Sequence, residues 1–181
     1  MEPLEIIEKY YKPGSVAHEF LIKHSEKVAR KALETARKVS ALAPDMDFIR
    51  EASMLHDIGM FLTDAPQLGC YGDKPYITHG CLGRQLLEKE GWARHALVAE
   101  RHVGVGLTIE DISRQELPLP LKDMTPETLE EKIISFADKF YSKGKDLARE
   151  KTVEEVRESI RRYGESKLKI FDEWLRSFGY K

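Results

Sequence analysis

Cysteine is scarce in this chain of 181 residues, with only Cys70 and Cys81 present. Two thiols are too few for a disulfide framework, and these two lack the CxxC or Cys/His spacing of a zinc site. That usage fits a reducing cytoplasm. No apolar run approaches the ~18–20 residues of a membrane span. The start, Met1-Glu2-Pro3-Leu4-Glu5, lacks the basic segment and apolar stretch of an export signal. A protein neither secreted nor anchored is expected. Charge of one sign is not in excess: 29 Lys and Arg stand against 31 Asp and Glu, a formal balance of −2. Without a basic surplus, nucleic acid is not expected as the main partner. Strand-like alternation is also rare. What remains is a composition of 41% hydrophobic and 33% charged residues, which excludes a disordered chain. At a usual ~100–200 residues per domain, the length predicts a single domain over 1–181.

Helical periodicity dominates, with start signals ahead of it: Ser15 before Val16, Asp45 or Asp47 before Phe48, Thr78 before His79, and Thr108 before Ile109. Thr125-Pro126-Glu127-Thr128 reads as a further start, with Thr125 as cap and Pro126 at the first helical position. Thr152 opens another helix, Gly164 interrupts it, and Lys167 to Phe178 gives a last amphipathic stretch. About eight helices are expected. Two connections are longer and more irregular, Met60 to Ile77 and Val103 to Thr125, and such loops often carry function. The charge-rich tail from about Lys143 reads as a solvated two-helix cover beside the core, and its amphipathic helix leaves a homodimer open.

The informative feature is an ordered set of metal-capable residues: His24, His56-Asp57, His79, His102 and Asp138. Adjacent His56 and Asp57 would diverge by about 100° inside a regular helix. Ile58-Gly59 follows, and a glycine there lets the chain turn so that both side chains face one cavity. Imidazole and carboxylate together suit divalent Fe, Mn, Co, Ni or Zn, and the set contains no thiolate. Taken singly, each histidine is more often a packing or surface residue than a ligand. His18 and His95 stand outside the pattern and read as structural or exposed, and Trp92 and Trp174 read as packing residues.

The order and context of these residues resemble the HD superfamily of metal-dependent phosphohydrolases, in particular its HDIG-type members. The likeness spans roughly residues 16–145, leaving a C-terminal helical extension at about 146–181. It rests on Phe20-Leu21-Ile22-Lys23-His24, Leu55-His56-Asp57-Ile58-Gly59, Thr78-His79-Gly80, Glu100-Arg101-His102-Val103-Gly104 and Phe136-Ala137-Asp138-Lys139. The resemblance implies an all-α HD-domain bundle with ligands converging from several helices. It makes His24, His56, Asp57 and Asp138 ligands of one metal, with Asp57 bridging to a second held by His79 and His102. Two divalent ions are implied, Fe or Mn first, with Co, Ni, Zn and Mg as alternatives. Many relatives carry Lys where Met60 stands here, so that lysine's role is absent or supplied elsewhere.

The implied activity is hydrolysis of a small phosphorylated substrate, nucleotide-like, by attack of a metal-bound hydroxide on phosphorus, with His56 and Asp57 central. Arg84, Arg101 and Lys139 lie near the ligands in sequence and are the candidate phosphate-binding cations. Two other functions stay open. One is a di-iron oxygenase resembling myo-inositol oxygenase, which uses the same ligand arrangement to activate oxygen. The other is a non-catalytic metal- or nucleotide-binding module.

Overall fold

Several helices in this protein begin where a side chain satisfies a free backbone amide. The computed structural model describes residues 2–143 and 149–180. Among them are nine α-helices: α1 (Pro3–Tyr10), α2 (Val16–Lys38), α3 (Met46–Leu55), α4 (His79–Lys89), α5 (Ala93–Arg101), α6 (Ile109–Arg114), α7 (Leu129–Asp138), α8 (Val153–Arg161) and α9 (Glu165–Ser177). A two-residue antiparallel pair, β1 (Asp64–Ala65) and β2 (Cys70–Tyr71), sets Asp64 opposite Tyr71 and Ala65 opposite Cys70. The fold is all-α, as expected. No helix among the described residues is long and apolar enough to cross a membrane.

Ser15 caps α2 by accepting from the His18 amide, and Asp45 caps α3 by accepting from Phe48. Thr108 with Asp111 and Thr152 with Glu155 form reciprocal capping boxes on α6 and α8. Two expectations need correction. Thr125-Pro126 does not start α7. Met124 is paired with Leu107 through two backbone hydrogen bonds, which holds the following residues extended, and Thr128 is the cap that accepts from Glu131. Thr78 does not cap α4 either, because its hydroxyl donates to the Pro75 carbonyl within a 3-10 turn.

Two apolar clusters fill the interior. One contains Ile6, Ile7, Phe20, Leu21, Leu55, Ile58, Met60, Leu87 and Ala99. The other contains Val28, Ala52, Val98, Ile133, Phe136 and Phe140, together with Val156, Ile160, Phe171 and Phe178 from the C-terminal helices. The chain passes from one cluster to the other between Leu21 and Val28, between Ala52 and Leu55, and between Val98 and Ala99. Metal-capable residues sit at or beside these crossings.

The tail is more than a solvated cover. Phe171 is fully buried and stacks on Phe136 at 5.3 Å, while Phe178 and Tyr180 meet the same ring at 5.2 and 5.1 Å. The boundary expected near residues 145–146 lies outside the described residues. Phe136→Ala removes the ring on which α7, α9 and the end of the chain converge. A loss of about 3–5 kcal/mol of unfolding free energy is expected from the cavity left behind, to be read by chemical denaturation.

Candidate metal centre

The strand-free core brings all six metal-capable residues into one buried cluster. His24, His56 and Asp57 are fully buried, and His79, His102 and Asp138 are 3%, 1% and 5% exposed. Burying this many polar and charged groups is costly unless each finds a partner or an ion.

Local backbone geometry aims them. α3 ends at Leu55, His56 keeps helical angles, and Asp57 (φ −103°, ψ 10°) leads into a 3-10 turn over Ile58–Leu62. This change of pitch swings Asp57 beside His56. Gly59 contributes differently from the sequence-based expectation. It has no left-handed φ, but a Cβ on it would lie 2.2 Å from the His79 carbonyl oxygen, so its bareness admits α4. Gly80 does the same between α4 and α5, where a Cβ would lie 2.6 Å from the Ala99 carbonyl oxygen. That close approach lets the Nε2 atoms of His79 and His102 come within 3.2 Å.

Three imidazoles are held alike. Nδ1–H of His56 donates to the Ser53 carbonyl (2.6 Å), that of His79 to Tyr76 (2.7 Å) and that of His102 to Ala99 (2.8 Å). A carbonyl only accepts, so in each neutral ring the proton is on Nδ1 and Nε2 carries the free lone pair. His56 Nε2 is buried with no hydrogen-bond partner among the described residues. A lone pair so placed is what a metal ligand requires.

The two oxygens of Asp57 divide the cluster. Oδ1 lies 3.2 Å from Nε2 of both His79 and His102. Oδ2 lies 3.4 Å from Nε2 of His24 and 3.3 Å from that of His56. Asp138 Oδ1 joins the second group, 3.0 Å from His24 Nε2 and 3.6 Å from His56 Nε2. These spacings allow His24, His56 and Asp138 to share one ion, and likewise His56, Asp57 and His102.

Burial raises the Asp57 and Asp138 carboxyls, but the cations around them outweigh it and hold both well below the carboxylate range: Lys143 and His56 for Asp57, Lys139 and Lys143 for Asp138. Burial pushes His102 down to about 3. His56 resists the same burial, because Asp57 and Asp138 raise it to about 9.

Lys143 escaped the sequence reading. Its Nζ donates to Asp57 Oδ1 at 2.7 Å and lies 2.6 Å from Oδ2. A lysine five residues beyond Asp138 carries no motif signal of its own. The hint was the missing lysine at Met60, whose side chain is fully buried in an apolar cluster. Lys143 puts an ammonium group beside the buried cluster instead. Of the candidate phosphate-binding cations, Lys139 lies at the site, 2.8 Å from Asp138 Oδ2. Arg84 and Arg101 are not brought to it. Arg84 is held by Glu88 and the buried Glu100, and Arg101 by Glu127 and the buried Glu131, so each is committed to a carboxylate of its own. His95 packs between Trp92 and Phe48 and contacts Glu51 at 3.2 Å, a structural role as expected.

Beside the cluster opens a cavity of about 500 Å³, reached by His79, His102, Asp138, Lys139 and Lys143. Its far wall includes Val105, Leu107, Val156 and Ile160.

Compared with known proteins, residues 21–142 match the HD domain family. An uncharacterised protein of Methanocaldococcus jannaschii is 35% identical over 127 residues, covering 68% of each chain. Two proteins named tRNA (cytidine(56)-2'-O)-methyltransferase are also similar. The one from Thermoplasma volcanium is 31% identical over 148 residues, covering 81% of this chain and 38% of its own. The one from Picrophilus torridus is 34% identical over 127 residues, covering 70% and 33%. The chain thus spans only about a third of the length of either methyltransferase relative. No solved structure matches it.

Two outcomes test this centre. An ion that takes the His56 lone pair must displace the proton held there below pH ~9, so affinity should fall as pH falls. Calorimetry of Mn binding at pH 7, in buffers of different ionisation enthalpy, should show release of about one proton from this residue; heats that do not depend on buffer would mean His56 is neutral before loading. Gly80→Ala should force α4 and α5 apart and weaken metal binding by about tenfold or more, with helical circular dichroism retained.

Proposed function

The chain belongs to the HD domain family, and on that footing we propose that it is a metal-dependent phosphohydrolase acting on a small phosphoester, nucleotide-like in size. The observation that carries this reading is the division of Asp57, one oxygen against His79 and His102 and the other against His24 and His56. A carboxylate so placed is suited to bridge two divalent ions, with Asp138 completing the His24 and His56 set. Fe or Mn fit this oxygen and imidazole donor set best, with Co, Ni, Zn and Mg as alternatives.

Bound there, divalent ions would supply Lewis acidity and bring the pKa of water down towards ~7. The chain's own residues do the rest. The carbonyls of Ser53, Tyr76 and Ala99 fix three imidazoles in the ligating tautomer. Lys139 and Lys143 hold positive charge beside the carboxylates at the cavity's edge, where phosphoryl oxygens would enter. The cavity lies within the ~300–1,000 Å³ usual for small-molecule sites. Its wall of Val105, Leu107 and Ile160 suits an apolar or aromatic leaving group such as a nucleoside. The methyltransferase name belongs to relatives about three times as long as the segment matched. It makes RNA-derived phosphates, including nucleoside 2'- and 3'-phosphates, natural members of a substrate panel.

The test is turnover of nucleoside monophosphates, dinucleotides and sugar phosphates by Mn-loaded protein with oxygen excluded. Turnover is expected on at least one ester, falling about a hundredfold or more in Asp57→Asn. Activity that instead requires iron and consumes oxygen would replace this reading with an oxygenase.

A further inference from the structure

Four lysines line the cavity: Lys139, Lys143, Lys151 and Lys167. Three are paired with carboxylates. Lys139 pairs with Asp138, Lys143 with Asp57, and Lys167 with Asp111 while also donating to the Gly106 carbonyl at 2.7 Å. Lys151 differs. Among the described residues no carboxylate lies within ion-pair distance of its ammonium group. Its main chain is fixed, because its amide donates to the Phe140 carbonyl at 2.8 Å. The next residue, Thr152, caps α8. The side chain is thus carried on anchored backbone at the point where the extension returns to the metal centre.

Electrostatics agree with that placement. Burial lowers the Lys151 ammonium from its ordinary range; Asp138 and Glu155 act against this, and Lys139 and Arg149 add to it. The residue therefore lies within electrostatic reach of the centre without touching a ligand. A partly desolvated cation with no carboxylate at ion-pair distance among the described residues, lining a cavity beside a metal centre, is the arrangement that binds a substrate anion.

We propose that Lys151, which lies outside the segment matched to the family, is the principal substrate-phosphate cation of this enzyme, assisted by Ser159 on the same wall of the cavity. This inference rests on the phosphohydrolase reading for its substrate class. It takes over the role that Arg84 and Arg101 would have filled. It also gives the extension a function: α8 and α9 carry part of the substrate site, and α9 is tied to the Gly104–Gly106 loop through Lys167. The ligand class is a phosphate monoester or free phosphate, whose non-bridging oxygens accept from the ammonium group.

The experiment uses the full chain loaded with Mn, with inorganic phosphate as the probe. Lys151→Gln should weaken phosphate binding by about tenfold, the size expected for loss of one charge-assisted hydrogen bond, and should raise KM more than it lowers kcat. Lys151→Arg should restore most of the affinity. Bound Mn and thermal midpoint should match those of the unsubstituted protein in both variants, which separates this role from a structural one. Phosphate binding that is unchanged in Lys151→Gln, or undetectable in the unsubstituted protein, overturns the assignment. Phosphate held through Lys151 by a protein that hydrolyses no ester would leave the anion site standing and remove the hydrolase reading.

Discussion

A fully buried carboxylate, that of Asp57, is the constraint around which the rest of this protein is arranged. Isolated in a low-dielectric interior it would take up a proton. It does not, because the ammonium of Lys143 lies against both of its oxygens and the charge on His56 adds to it, with three further imidazoles around them. Each of those groups comes from a different part of the chain, so satisfying one residue fixes α2, α3, α4, α5 and the segment after α7 relative to one another. The bare faces of Gly59 and Gly80 are the steric counterpart, since without them α4 could not approach closely enough to take part.

Much of this was legible in the sequence. The helical class followed from periodicity and caps, and Ser15, Asp45, Thr108 and Thr152 mark true helix starts because their signals are local hydrogen bonds. Thr125-Pro126 misleads for the opposite reason. Its conformation is imposed by the Met124 pairing to Leu107, a contact that no local window contains. The six metal-capable residues could be picked out as a set from their order. How they divide about Asp57 could not, since that depends on which oxygen each imidazole faces.

The cations were the least legible part. Nearness in sequence favoured Arg84 and Arg101, yet both lie where buried Glu100 and Glu131 need a partner. A buried acid exerts a strong demand for a base, and an arginine near the site in sequence is as able to meet that demand as to serve a substrate. Lys151, by contrast, is brought to the cavity beside the cluster by a tail that buries Val156, Ile160 and Phe171 with Phe136 and Phe140. Hydrophobic packing at the C-terminus thereby determines the charge at the site.

The helix ends bear charge of the opposite sign. His56 and His102 follow the last turns of α3 and α5, and Asp138 is the final residue of α7. Three helices therefore direct their C-termini at one point, each contributing roughly half a negative charge from aligned peptide dipoles. The backbone dipoles thus add to the pull of Asp57 and Asp138 on a cation, each helix end by about 0.3–1 kcal/mol.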